Sequence, residues 1–174
     1  MNCTIPAAIS LALLLSACDG GNAPSNNAVA PTTTEATSVP IGRPGSATGV
    51  QFTVTKIDNR AQLGMAGAGM KAEPTETYVV VRYTLKNTGA VPLSLSDRPS
   101  ISLVDAKGQS YATDMSAAAM ASDGLDELNG MANDINPNTS AKGVAVWKVE
   151  KAAFDNGTWK LVLPTNPQLT FSLK

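Results

Sequence analysis

The sequence predicts an all-β protein, an antiparallel β-sandwich of seven to eight strands with a short helical crossing segment. Three observations lead there. Apolar and polar residues alternate in a series of short runs, the period of a half-buried strand. Turn-forming Gly, Asn and Asp residues separate those runs. The one stretch rich in helix formers, Met115-Ser116-Ala117-Ala118-Ala119-Met120-Ala121, is too short to found a helical fold. Hydrophobic residues make up 43% and charged residues 16% of the chain, a globular composition. Aromatics are only 5%, so the core must rest mainly on Val, Leu, Ile and Ala.

The N-terminal residues 1–17 read as a signal peptide. Ile5 to Leu15 is almost wholly apolar, long enough for a leader core and too short to span a bilayer. Leu15-Ser16-Ala17-Cys18 follows it and resembles the lipobox of bacterial lipoproteins. That resemblance implies cleavage before Cys18, acylation of its thiol and anchoring in a membrane of the cell envelope. Met1-Asn2-Cys3-Thr4 departs from the family in carrying no Lys or Arg. Asp19, next to the lipidated residue, resembles the signal that retains enterobacterial lipoproteins in the inner membrane. Residues 18–48 hold Pro24, Pro31, Pro40, Pro44 and a Thr32-Thr33-Thr34 run without hydrophobic period, and are expected to form a disordered tether.

The domain is expected over residues 49–174. Val50, Phe52 and Val54 form one face of a strand; Ile57 breaks the alternation, placing a bulge near Thr55-Lys56. Residues 61–75 read as a loop whose glycines match no phosphate-binding fingerprint. The strongest strand is Thr77 to Asn87. Val79, Val81, Tyr83 and Leu85 share its inner face, and Arg82, Thr84 and Lys86 its outer, polar face. Asn87-Thr88-Gly89 is a turn, and Val91, Leu93 and Leu95 suggest a further short strand. Asp105-Ala106-Lys107-Gly108 closes a hairpin between Ile101–Leu103 and Gln109–Tyr111. The helical segment follows, with Thr113 or Asp114 as N-cap and Gly124 at its end; Leu125 and Leu128 form a turn that caps the core. Gly143–Val149 presents Ala145, Trp147 and Val149 on one face. After a turn at Asn156-Gly157, Trp159–Leu163 and Leu169–Leu173 complete the strands.

Several function classes are excluded by composition. The chain has no histidine, which removes Ser-His-Asp and Cys-His catalysis and imidazole-based zinc sites. Its net charge is −1 with scattered Lys and Arg, so nucleic acid is a poor partner. Both cysteines, Cys3 and Cys18, lie in the leader region, so the domain has no disulfide. No catalytic constellation is present, and the chain reads as a non-enzyme without a cofactor.

The order of motifs carries a second resemblance. Lys86-Asn87-Thr88-Gly89, then Ile101 to Tyr111 with its Asp-Ala-Lys-Gly turn, then Ile135-Asn136-Pro137-Asn138-Thr139, Gly143 and Trp147 resemble the immunoglobulin-like domain of unknown function found on many bacterial lipoproteins. That domain is akin to a mycobacterial secreted immunoprotective antigen. The resemblance implies an immunoglobulin-like sandwich over residues 49–174 and transfers no catalytic residue.

One cluster stands out. Apart from Met1, the methionines fall in two irregular segments, Met65 and Met70 in the first, Met115, Met120 and Met131 in the second. Thioethers suit Cu(I), which makes Met65, Met70, Met115 and Met120 candidate soft-metal ligands. The same side chains equally serve as gap-fillers or an adaptable contact surface. The acidic set Asp114, Asp123, Asp126, Glu127 and Asp134 contains no calcium-loop pattern and reads as caps and solvated loops. The functional expectation is a lipid-anchored, extracytoplasmic binding module for an envelope protein or ligand. A copper carrier and a structural or stress-related lipoprotein are the alternatives.

Overall fold

Two sheets pack face to face, and the alternating runs supply the apolar layer between them. The computed structural model describes residues 38–65, 67–155 and 158–173. In chain order the strands are β1 Ser38–Val39, β2 Pro44–Ala47, β3 Val50–Arg60, β4 Gln62–Leu63, β5 Met70–Lys71, β6 Glu76–Asn87, β7 Ser102–Val104, β8 Ser110–Ala112, β9 Ser140–Glu150, β10 Lys160–Leu163 and β11 Leu169–Ser172. Helices α1 Met115–Ala121 and α2 Leu125–Ala132 lie between β8 and β9, and α3 Lys151–Asp155 follows β9. One sheet has the order β1-β11-β10-β7-β8 and the other β2-β3-β6-β9; β4 and β5 form a separate hairpin. This is the expected all-β sandwich. All sheet pairings are antiparallel except β1 with β11, which run parallel.

The predicted inner faces hold. Phe52 and Val54 of β3, Val79 and Val81 of β6, and Ala145 and Trp147 of β9 meet Leu161, Leu163 and Phe171 of the opposite sheet, all buried. Phe52 stacks on Tyr83 at 4.8 Å and meets Phe171 at 5.5 Å, so one aromatic chain ties the sheets together. Such pairs contribute about 1 kcal/mol each beyond the area they bury. Gly143 lies directly opposite Tyr83, and a Cβ there would sit 2.4 Å from its ring. The glycine leaves room for the phenol to lie across the strand pair. The register of β3 against β6 shifts between Val54 and Lys56, where the bulge is expected.

Several expectations are corrected. The tether does not run to residue 48, since β1 and β2 already belong to the sheets. Gly45 lies against Val39, Leu169 and Phe171, where a Cβ would come within 3.1–3.2 Å of each. Residues 61–75 contain the β4–β5 hairpin, which buries Leu63. Val91 and Leu95 are exposed and form no strand; Pro92 between them has no N–H to give a ladder, and only Leu93 bridges to Ile135. Helix α1 is capped by Asp114, whose carboxylate accepts from Ala117 N at 2.9 Å, but it ends at Ala121. Gly124, with φ of 152°, instead precedes α2. Leu125 and Leu128 do not cap the core: both are exposed, and the residue α2 buries is Glu127. Cys18, residues 1–17, the tether up to residue 37 and the Asn156-Gly157 turn lie outside the described residues.

Two of the resembling motifs meet in space. Buried Asn87 donates from Nδ2 to Val91 O at 2.7 Å and Ile135 O at 2.8 Å, while Oδ1 accepts from Gly89 N at 2.8 Å. Asn138 N, in the left-handed region at φ 61°, donates to Asn87 O at 2.9 Å. The Asn-Thr-Gly turn and the Ile-Asn-Pro-Asn loop are thus halves of one hydrogen-bonded corner.

Candidate functional site

The outer face of β6 and β9 is not the solvated face that Arg82, Thr84 and Lys86 predict. Tyr78 and Val80 of β6 and Val144 and Val146 of β9 form a second apolar layer beneath Ala117, Ala118 and Ala121 of α1. The alanines let the helix backbone lie close to the sheet. Gly130 brings α2 equally close, because a Cβ there would stand 1.9 Å from Lys142 O. The crossing segment therefore covers the sheet.

Arg82 projects into this layer and is 8% exposed. Its Nη1 donates to Asp58 Oδ2 on β3 at 3.2 Å. Its Nη2 donates to Ala121 O at 2.9 Å and lies 2.6 Å from Asp123 Oδ2. Its Nε lies 3.1 Å from Glu127 Oε1, an ion pair whose N–H is not aimed along the contact. Glu127 Oε2 also accepts from Asp123 N at 2.9 Å. Asp58 is shared with Lys56 at 3.1 Å and Arg60 at 3.4 Å. Burial pushes the Asp58 carboxyl upward, but the Lys56 hydrogen bond and the charges of Lys56 and Arg60 outweigh it and hold its pKa below the usual aspartate value. One guanidinium thus joins two strands, both helices and the turn between them.

Beside it, Arg98 donates from Nη1 to Gly130 O at 2.6 Å and from Nη2 to Asn133 O, satisfying carbonyls at the end of α2. Burial raises the Tyr83 phenol pKa; the Arg98 charge opposes this and that of Glu127 adds to it. Tyr83, Leu95, Arg98, Met115 and Met131 line a groove of about 190 Å³. At the other end of the sheet a more polar groove of about 640 Å³ is lined by Lys71, Glu73, Glu76, Thr77 and Lys151, whose charges offset one another.

The candidate methionines fall in two places. Met120 Sδ lies against Gly64, at the hairpin that carries exposed Met65 and half-buried Met70. Met115 lies at the start of α1, where it shares the 190 Å³ groove with Met131. Among the described residues no group of three or more Cys, His, Asp or Glu is arranged to hold a metal ion. Among the described residues the large hydrophobics left exposed are Met65, Val91, Leu95, Met115, Met120, Leu125 and Leu128. Every one lies on the hairpin turn, the loop after β6, or the two covering helices, and none on a strand of either main sheet. Sequence reading found these methionines but placed the leucines of α2 inward and Arg82 outward. The Tyr78-Val79-Val80-Val81 run was the available signal, since consecutive apolar residues mark a strand buried on both faces.

Residues 39–168 match the model of a family described as a domain of unknown function, DUF4352. The chain belongs to the DUF4352 family. An uncharacterized protein of Bacillus subtilis, YxkC, is 38% identical over 112 residues, 64% of this chain and 62% of its own length. The match thus spans less than two thirds of that relative. Among solved structures, a conserved hypothetical protein from Bacillus anthracis superposes with a TM-score of 0.62 at 21% identity, covering 77% of this chain and 94% of its own. An uncharacterized β-sandwich protein from Clostridium difficile gives 0.54 at 16% identity, covering 83% and 100%. At these identities the two structures speak for the fold alone, and the second, itself described as a β-sandwich, agrees with the sandwich of this DUF4352 domain.

Proposed function

We propose that this DUF4352 chain is a lipid-anchored protein of the bacterial cell envelope. Its sandwich acts as a non-catalytic interaction module that binds an envelope protein through the covered face of the β2-β3-β6-β9 sheet. The observation that carries the binding face is the grouping of the exposed large hydrophobics on the hairpin, the loop after β6, α1 and α2. Flexible thioethers and leucines make an adaptable contact surface, and exposed apolar groups concentrated on the covering helices and adjoining loops are the kind that mark interaction sites. The lipobox-like Leu15-Ser16-Ala17-Cys18 supports extracytoplasmic anchoring through Cys18, with Asp19 favouring the inner membrane. The motif order supports kinship with the immunoglobulin-like lipoprotein domains and their mycobacterial antigen relative.

The two halves are tested separately. Metabolic labelling with palmitate is expected to mark the wild-type chain and not Cys18→Ala; equal labelling of both removes the anchor. A photo-crosslinking residue replacing Met120 in native envelopes is expected to capture a partner that the same residue at Lys160, on the opposite sheet, does not. Identical captures from both positions would remove the binding face.

A further inference from the structure

We propose that the groove lined by Tyr83, Leu95, Arg98, Ile101, Met115 and Met131 receives one apolar side chain with a carboxylate beside it, presented by the polypeptide of an envelope protein. This rests on the reading that the covered face binds such a protein, and it names what the partner inserts.

The groove lies at the edge of the β2-β3-β6-β9 sheet, where Val144 and Ala145 of β9, the segment of residues 95–101 and the start of α1 come together. Tyr83 of β6 reaches it across β9. The strand residue opposite is Gly143, and a Cβ there would lie 2.4 Å from the Tyr83 Cζ and 2.5 Å from its hydroxyl oxygen. The end of the phenol therefore passes over the glycine. Buried tyrosine hydroxyls usually find a partner. That of Tyr111 is bonded to Asp105, whereas that of Tyr83 has no hydrogen-bond partner among the described residues.

Arg98 supplies the charge. Its Nη1 and Nη2 go to the Gly130 and Asn133 carbonyls, which carry no net charge. Among the described residues Arg98 is in no ion pair, while Arg82 is in three. Asp97, the chain neighbour of Arg98, accepts from Ser94 Oγ at 2.5 Å, and Glu127 is paired with Arg82. The Arg98 Nε is buried without a partner, so the guanidinium is partly withdrawn from water and its field is poorly screened. No Asp or Glu lines the groove. It thus offers a cation and a hydroxyl donor, and a carboxylate accepts from both.

Size and lining select the rest. At about 190 Å³ the groove is smaller than the roughly 300–1,000 Å³ of small-molecule sites, so it suits one side chain. Leu95 and Met115 are 55% and 63% exposed, and Ile101 and Met131 are half-buried. An apolar anchor seated in such a pocket, with the charge at its rim, is how a few interface residues carry most of a binding energy.

The test uses the full-length chain with ¹³C-labelled methionine methyls and two blocked dipeptides, N-acetyl-Leu-Glu-amide and N-acetyl-Leu-Gln-amide. The acidic dipeptide is expected to move the Met115 and Met131 resonances saturably and to leave those of Met65 and Met70 in place. The neutral dipeptide should bind about tenfold more weakly or worse, since a charge-assisted bond is lost. Tyr83→Phe should weaken the acidic dipeptide by about fivefold, and Arg98→Gln should abolish the difference between the two. Equal affinity of both dipeptides for the wild type, equal movement of Met65 and Met70, or unchanged affinity in Tyr83→Phe would overturn the site. Tighter binding of octanoate than of the acidic dipeptide would overturn the polypeptide occupant. Movement of Met115 and Met131 with protein concentration alone would make a second copy the occupant and overturn it too. If Arg98→Gln does not fold, the dipeptide pair and Tyr83→Phe decide the matter. Photo-capture from position 120 without dipeptide binding would remove this site and leave the binding face.

Discussion

Gly130→Ala sets two physical effects against each other. Gly130 lies within α2 without a left-handed φ, so helix propensity alone favours alanine by about 1 kcal/mol. The added Cβ would lie 1.9 Å from Lys142 O, 3.0 Å from Lys142 C and 3.1 Å from Lys142 N. An ordinary carbon–oxygen contact needs about 3.3 Å, and the obstacle is the backbone of β9, which cannot rotate away. Helix α2 must retreat by more than about 1 Å, straining the 2.6 Å bond from Arg98 to Gly130 O and the 3.1 Å contact between Arg82 and Glu127. Overpacking of this kind costs about 1–3 kcal/mol, and weakening the ion cluster adds to it. The expected net effect is a loss of about 2 kcal/mol. Urea unfolding followed by the fluorescence of Trp147 and Trp159 reports it as a lowered midpoint. Hydrogen exchange over residues 125–132 should rise in parallel. A midpoint at or above that of the wild type would mean that propensity wins, and that α2 does not lie on β9 as described.

Three further outcomes are expected. Val81→Asp, in the fully buried layer between the sheets, and Arg82→Ser, which strips the cation from buried Glu127, should each lower stability by about 3 kcal/mol or more in urea unfolding; a cheap Arg82→Ser would return Arg82 to a solvated face. The raised Tyr83 pKa contributes stability that is present below the ordinary tyrosine value of about 10 and lost as pH rises through the folded value. Thermal unfolding in an alkaline series should therefore show a drop that Tyr83→Phe reduces. Titration with Cu(I) under reducing conditions should give no tight stoichiometric complex, because Met65 is exposed to solvent while Met70 packs against the second apolar layer, and Met115 lies apart beside Met131. A complex lost when Met65, Met70, Met115 and Met120 become Leu would establish the copper reading instead.

The sequence by itself determined what depends on near neighbours. Period-two alternation placed Val79, Val81, Ala145, Trp147 and Val149 inward, because adjacent side chains of a strand must point to opposite faces. A cap at Thr113 or Asp114 was legible, as was the Asp105–Gly108 turn, because such bonds close within a few residues: Asp114 accepts from Ala117 N, and Asp105 Oδ1 accepts from Lys107 N at 2.9 Å and Gln109 N at 2.8 Å. Tertiary structure alone decided the rest. Ser38–Val39 carries no period, and its partner β11 lies at the far end of the chain. The alternation in β6 says that Arg82 faces away from Val81, but not whether water or a helix lies there. Its counter-charges come from two separate segments, Asp58 from β3 and Asp123 and Glu127 from the crossing segment, and only the folded chain brings them to one point. The outward leucines of α2 follow from the same cause. Glu127 is drawn inward by the buried guanidinium, so Leu125 and Leu128 face water.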